Sequence, residues 1–417
     1  MAQFPSPAVP DATVPFRLDP YGWIPETARS LGTDAFESRL LLKKTVFLTG
    51  PDAVEVFYDR AKFTRTDAAP ARLQHTLFGS GGVQGLDGEA HAKRKAMFVS
   101  LLSAGGVAEI GRRAAAGWDA EAAGWPVGER VSFYDASRRL LTRVACGWAG
   151  VPLPEEDVAE RTRELSLMYE SAGAVGPNYL WGWRGRVLGE RWIAGLIEGV
   201  RSGELGEDAV PADAPLRVVA GFHDAGGAPL SEETAAVEVL NLLRPIVAVS
   251  VWQAFAALAL HEHREAAGDL SDPARLDAFA EEVRRFYPFF PAVLAIVREG
   301  FTWKGFEFPE GRPVVLDLHG TNHDPRLWDR PDAFDPSRFL GERPGHLGPI
   351  PQGGGSVAGG HRCPGEDVAR ELIRQAALFL TDPARVRFEV PADQDLSVAV
   401  RRLPALPRSG FELIKTA

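Results

Sequence analysis

The chain is poor in cysteine, in blocks of positive charge and in long uncharged runs, and each shortage removes a class of protein. Only Cys146 and Cys363 occur among 417 residues, too few for a disulfide framework or a four-thiolate zinc or iron–sulfur site. Asp and Glu number 56 against 46 Lys and Arg, a formal charge of −10. Without a basic block, nucleic acid and anionic membranes are poor candidate partners. The longest uncharged apolar stretch, 246–260, is interrupted by Ser250 and Gln253. It is too short to span a bilayer and reads as a buried core helix. The first fifteen residues have neither a cationic nor a continuous apolar region, so the expectation is no secretory signal, no membrane anchor and a cytoplasmic location. The glycine-rich run 353–360 lacks the Lys-Ser/Thr ending of a phosphate loop, and no internal repeat is visible.

What is present is the mixture of an ordinary globular protein, 45% apolar and 24% charged. Prolines at 5, 7, 10, 15, 20 and 25 suggest an extended N-terminal arm. Leu40–Leu48 reads as a strand and Ala53–Tyr58 as a helix. From about Glu89 to Glu282, apolar residues recur at i, i+3 and i+4, with Gly/Pro-rich breaks near 104, 127, 152, 177, 205 and 226. Beyond Pro288, Phe301–Phe308 and Val314–Leu318 look like strands. A coil rich in Pro, Asp and Gly occupies 320–360, and coils of that length are usually functional. A last helix is expected over Pro364–Leu380. The fold class is therefore mainly α (α+β), with a small β-rich subregion. A single domain is expected over 1–417, with 1–60 as the arm and β-rich part and 61–417 as the helical body with C-terminal β elements.

The coil ends in Gly353-Gly354-Gly355-Ser356-Val357-Ala358-Gly359-Gly360-His361-Arg362-Cys363-Pro364-Gly365. Its glycines allow backbone to approach something flat or bulky. A thiol before a helix start, beside His361 and Arg362, is favoured as thiolate by the dipole and the cations, which suits a metal ligand. The alternative is a buried structural cysteine, the reading that fits Cys146 on its apolar helix. Asp317, His319, His323 and Asp324 imitate a metal site. The segment reads as a strand end and turn rather than a helix, so the two histidines need not share a face.

The Gly-x-His-x-Cys-x-Gly run at 359–365 resembles the haem-binding loop of the cytochrome P450 superfamily. Two further segments fall in that family's order, Glu282-Val283-Arg284-Arg285 and Phe334-Asp335-Pro336-Ser337-Arg338-Phe339. The resemblance implies the P450 fold, haem b, Cys363 as the axial thiolate and sole metal ligand, and an Arg–Glu–Arg network of Arg285, Glu282 and Arg338.

Two departures from that pattern bear on function. Ser356 stands where the family's loop usually carries Phe. The long helix expected over about Ser231–His261 lacks the acid–alcohol pair that delivers protons in monooxygenases; Arg244-Pro245 replaces it. Pro245 opens the helix at about 3 kcal/mol, and an unpaired buried Arg244 costs several kcal/mol. Arg244 either pairs with a protein carboxylate at a kink or awaits an anionic ligand, whose carboxylate its guanidinium fork can bind bidentately. With Ile350-Pro351-Gln352-Gly353-Gly354-Gly355 and Gly320-Thr321-Asn322-His323-Asp324-Pro325, this pair resembles the bacterial hydrogen-peroxide-dependent fatty-acid peroxygenases.

That resemblance implies a long-chain fatty acid whose carboxylate is held by Arg244 beside Pro245 and acts as the missing acid, hydrogen peroxide as co-substrate, and no obligatory reductase. It implies hydroxylation at the α carbon, with the β carbon left open. Gln84 is placed in the distal pocket, where a His accompanies decarboxylation to a terminal alkene in relatives. Phe78, Val175, Phe289 and Phe290 become substrate-channel residues, or ordinary core packing. His91, Arg94, Lys95, Arg65 and His361 become partners of the haem propionates, or solvated basic residues, and Gly355 lies in the haem loop. Other readings are a fatty-acid decarboxylase, a reductase-dependent monooxygenase or a non-catalytic haem or fatty-acid binder. A monomer or weak homo-oligomer is expected.

Overall fold

The computed structural model describes residues 3–341 and 347–416. Nine helices carry most of the core: α1 Gly88–Leu101, α2 Ala104–Ala123, α3 Phe133–Ala149, α4 Val158–Glu170, α5 Pro177–Ser202, α6 Glu232–Ala248, α7 Ser250–Glu262, α8 Pro273–Phe286 and α9 Glu366–Thr381. The apolar spacing explains their packing. Leu140, Leu141, Val144, Ala145 and Trp148 form one buried stripe on α3. Trp118 of α2 stacks on Phe133 of α3 and Phe379 of α9, with both centroid distances 4.8 Å. Apart from their outer ends, α6 and α7 are buried almost throughout, as expected for a helix that is apolar all round. The stretch Glu232–Glu262 is apolar enough to cross a membrane by composition, yet its most apolar window is 94% buried within the protein, so it is the core axis.

The chain expected as one helix here is two, meeting at Val249. Ser231 caps its start, accepting from the Thr234 amide at 3.1 Å. Pro245 sits inside α6, where it deprives the Asn241 carbonyl of its helical donor.

Five strands form the main sheet: β1 Ala35–Leu40, β2 Lys43–Leu48, β3 Phe63–Thr64, β4 Ala292–Val297 and β5 Pro313–Asp317. Their order is β1-β2-β5-β4-β3, antiparallel except for β2 with β5. Alternation buries Val46 and Leu48 with Val314 and Leu316 in one cluster, and Phe36, Phe47 and Val315 in another. The sheet is thus covered on both faces.

Several expectations need correction. The strand expected over 40–48 is the turn and second arm of a hairpin, pivoting on Leu41 and Leu42 at φ 51° and 67°. Phe301–Phe308 is likewise a hairpin, turning at Lys304 and Gly305. Strand β4 was not anticipated. The N-terminal arm is not extended throughout, because Thr13–Leu18 and Trp23–Leu31 are helical. The last helix begins at Glu366, two residues later than expected.

Candidate active site

The coil after β5 is fastened first. Glu282 of α8 is fully buried and receives Arg285 through two bonds of 2.7 Å. It also receives Arg338 Nε at 3.2–3.3 Å and the Asp335 amide at 2.7 Å. The expected Arg–Glu–Arg network is therefore formed, and Arg285 additionally donates to the carbonyls of Asn322, Pro331 and Ala333. Glu-x-x-Arg places both side chains on one helix face, and the coil supplies the rest.

Beyond this anchor the chain returns through Gln352 to Cys363. The Cys363 amide donates to the Gln352 carbonyl at 3.2 Å. The Gln352 side-chain amide lies 3.6 Å from Sγ, and the Gly365 N–H points at Sγ from 3.4 Å. Arg284 fixes that amide: it donates to Gln352 Oε1 at 3.0 Å, leaving the NH₂ to face the sulfur. Gly355 has φ 74°, and a Cβ there would come within 3.0 Å of Tyr58, so glycine lets the loop lie on that ring.

The electrostatics around Cys363 differ from expectation. Burial raises the thiol's pKa, while the Gly365 N–H and Lys95 pull it back. His361 is no cation: burial, with Arg65 and His91 nearby, lowers it to about 2. Arg362 is engaged by Glu366 at 2.8 Å. A bound metal cation, which deprotonates a coordinating thiol outright, is therefore what would make Cys363 a thiolate.

The basic residues divide. His91 stacks on His361 at 4.0 Å, and its buried Nδ1 has no partner. Burial brings His91 down to about 4. Lys95 donates to the Arg362 carbonyl, and Arg65 lies 4.3 Å above the Phe57 ring and donates to the Leu294 carbonyl. A cavity of about 200 Å³ opens here between Tyr58, Arg60, Arg65, Gly360 and His361. Arg94 turns elsewhere, pairing with buried Glu238 at 2.7 Å and donating to the Gly81 carbonyl at 3.0 Å. These residues fit haem: a thiol in a glycine loop for the iron, and orphaned His91 with Arg65 for its carboxylates.

Arg244 is buried and, among the described residues, has no carboxylate partner. Its Nη2 donates to Asn241 Oδ1 at 3.3 Å, and its buried Nε is unsatisfied. Burial lowers its pKa to about 9, with Arg186 adding to the effect and Cys363 opposing it. Among the described residues the kink-paired alternative is not formed. Asn241 also donates to Gln84 Oε1 at 3.2 Å and to Glu238 Oε2 at 3.1 Å. Asn241 and Glu238 were not among the expected site residues. Their signal was available, since 238, 241 and 244 are polar positions three apart on an apolar helix.

Arg186 of α5 donates to the carbonyls of Leu77 and Phe78 at 3.4 Å, and Gly79 leaves room for its guanidinium. Phe78 therefore stands at the end of a segment clamped to α5. Phe289 stacks on Trp252 of α7 at 4.0 Å and meets Phe290 edge-on at 4.7 Å, which places Phe289 in the core beside α7. Val175 is 46% exposed between α4 and α5. His319–Asn322 is a single helical turn, contrary to expectation, and brings His319 and His323 to 4.3 Å. Asp317 is occupied by Thr49 at 2.9 Å, and among the described residues no His/Cys/Asp/Glu group is arranged to hold a metal ion.

Fold and site together define a haem–thiolate protein. The Cytochrome P450 family profile matches residues 261–381. A variant of cytochrome P450SP alpha (CYP152B1) is 42% identical over 98% of this chain and 99% of that one, with a TM-score of 0.93. Cytochrome P450EX alpha (CYP152N1), solved with myristic acid, is 41% identical over 99% of both, at 0.94. A variant of cytochrome P450 OleT with arachidonic acid is 30% identical over 99% and 98%, also at 0.94. Among curated relatives, cytochrome P450 monooxygenase ple5B of Rhodocybe pseudopiperita is 36% identical over 27% of this chain and 22% of its own length. Cytochrome P450 26C1 of Homo sapiens is 23% identical over 86% and 78%. The chain belongs to the cytochrome P450 superfamily, in its fatty-acid peroxygenase branch. It is an oxidoreductase whose cofactor is haem carried on a cysteine thiolate.

Proposed function

We propose that the whole chain, 1–417, acts as one haem-binding domain that hydroxylates long-chain fatty acids at the α carbon, and secondarily at the β carbon, with hydrogen peroxide and without a reductase. The observation that carries this reading is the buried, carboxylate-free Arg244 with its unsatisfied Nε. Fatty acids in the structures of P450EX alpha and OleT support the substrate class. Cys363 is the thiolate ligand, oriented by Gly365 and Gln352, since Cys146 is fully buried within α3 and burial pushes its thiol up to about 12. Haem, when bound, supplies the iron at which peroxide is activated.

The protein's residues supply the rest. Arg244 binds the substrate carboxylate through Nε and Nη, restoring charge balance inside α6. Neither Asn241 nor Pro245 can exchange a proton, so the carboxylate is the acid–base group. It takes a proton from one oxygen of hydrogen peroxide and returns it to the other, which leaves as water. Held head-first, the acid presents Cα and Cβ rather than the chain end to the oxidant. His91, Arg65, His361 and Lys95 would hold the haem propionates, and Phe78, Phe290 and Val175 would line the route of the acyl chain.

Incubation with myristic acid and peroxide alone should yield 2-hydroxymyristate by mass spectrometry; a requirement for reductase and NAD(P)H would overturn the reading. Gln84 carries no titratable proton, so alkene should be a minor product. Gln84→His is expected to raise the terminal-alkene fraction several-fold, and an unchanged product ratio would remove Gln84 from the reaction. Cys363→Ala should abolish the red-shifted ferrous–CO band of a thiolate-ligated haem; a retained band would refute the ligand assignment.

A further inference from the structure

The bonds around Arg244 have a chemically fixed polarity. Arg94 and Arg244 can only donate, and ionised Glu238 can only accept. Arg94 occupies Glu238 Oε1 at 2.7 Å, and Asn241 reaches Oε2 at 3.1 Å. Asn241 must therefore turn its NH₂ towards Glu238 and its carbonyl towards Arg244 Nη2, 3.3 Å away. The second hydrogen of that NH₂ goes to Gln84 Oε1 at 3.2 Å. Gln84 is then left with its own NH₂ as the free end. Each amide inherits its orientation from the one before, and the series starts at a carboxylate that is completely buried.

We infer that Glu238 is a positioning residue that sets the hydrogen-bonding sense of the carboxylate site: through Asn241 it keeps Arg244 Nε open to the ligand and makes Gln84 present a donor. This rests on the fatty-acid reading above and adds to it the group that decides that an anion, rather than a neutral head, is received. Glu238 is not a proton carrier here. Its carboxylate accepts from Arg94, from Asn241 and from the Val83 backbone, and these donors oppose the effect of burial, which raises its pKa.

Glu238→Gln reverses the series. Arg94 still demands an oxygen, so the new amide turns its NH₂ towards Asn241. Asn241 must answer with its carbonyl and show its own NH₂ to Arg244, donor against donor. Gln84 now donates inward and presents its carbonyl to the incoming carboxylate. The test is calorimetric binding of myristate and of the neutral analogue tetradecan-1-ol to the haem-loaded protein. Glu238→Gln should weaken myristate by roughly tenfold or more while changing the alcohol less than about twofold. Glu238→Asp, which keeps the charge, should restore most of the preference.

Asn241→Leu removes the relay without touching the Arg94–Glu238 pair and should lose the same preference, which keeps the inference testable if Glu238→Gln fails to load haem. Wild-type discrimination retained by a folded Glu238→Gln or Asn241→Leu protein overturns this inference. Equal weakening of both ligands also overturns it, because a purely structural role would affect both alike. Failure of the wild type to bind or convert myristate instead sinks the fatty-acid reading itself.

Discussion

Arg244→Ala is expected to lower kcat/KM for fatty acid by roughly 10²- to 10³-fold or more while the thiolate-type ferrous–CO band persists. The first contribution is binding. A buried charge-assisted pair broken on one side costs about 3–5 kcal/mol, and each 1.4 kcal/mol is tenfold. The second is catalytic: a carboxylate that is no longer held cannot pass its proton between the peroxide oxygens, so kcat falls together with affinity. Arg244→Lys keeps a charge but loses the planar fork, and should recover affinity more than kcat.

Removing the Arg244 charge should act in the opposite direction on stability. Burial brings the Arg244 pKa down from the ordinary guanidinium range to about 9, so the unfolded chain binds this proton more tightly than the native one. The cost is fully present below pH 9 and is relieved as pH rises above about 9 towards the ordinary guanidinium range. Replacing an uncompensated buried ion by a hydrophobe of similar volume is neutral or stabilising by about 1–4 kcal/mol. Ligand-free, haem-loaded Arg244→Leu should therefore unfold at equal or higher denaturant concentration than the wild type. Saturating myristate should raise the wild-type midpoint and leave the variant's unchanged. Retained turnover in either variant would show that Arg244 does not hold the substrate.

Arg244 and Cys363 were legible in the sequence because they break local rules: a permanent charge and a proline inside an apolar helix, and a thiol behind a run of glycines. Asn241 and Glu238 were legible in principle from their three-residue spacing. Arg94 was not, because its partner is 144 residues away and a basic residue on a helix beside the loop carries the same local signature whichever way it turns.

In the fold, the missed features also have physical causes. Leu41 and Leu42 turn the first hairpin at positive φ without the glycine or asparagine that usually marks such a turn. Pro15 and Pro25 each occupy the third residue of a short helix, inside the first turn where a missing N–H costs nothing. Prolines that suggest an extended arm are compatible with helix starts. Strand β4 lies directly behind Pro288 and Pro291, and its pairing with β5 comes from tertiary context, which a local pattern does not contain.

Glu282→Ala is expected to prevent accumulation of folded, haem-loaded protein. Its carboxylate is fully buried and is the shared anionic partner of two guanidiniums, Arg285 and Arg338. Removing it leaves both cations beside one another in a buried site without their shared acceptor. Breaking one buried pair costs about 3–5 kcal/mol, a large share of the roughly 5–15 kcal/mol that holds a domain folded, and here two pairs go together. The damage is directed at the site, because Arg285 and Arg338 grip carbonyls of 322, 329, 331 and 333, the coil that leads into the Cys363 loop. Glu282→Gln retains the shape and one acceptor but not the charge, so it should be intermediate, with reduced haem content and a lowered unfolding midpoint. Haem content per chain and the denaturation midpoint measure both. A Glu282→Ala protein with full haem occupancy and a midpoint within about 1 kcal/mol of wild type would show that the coil is held by its other contacts and that this network is dispensable.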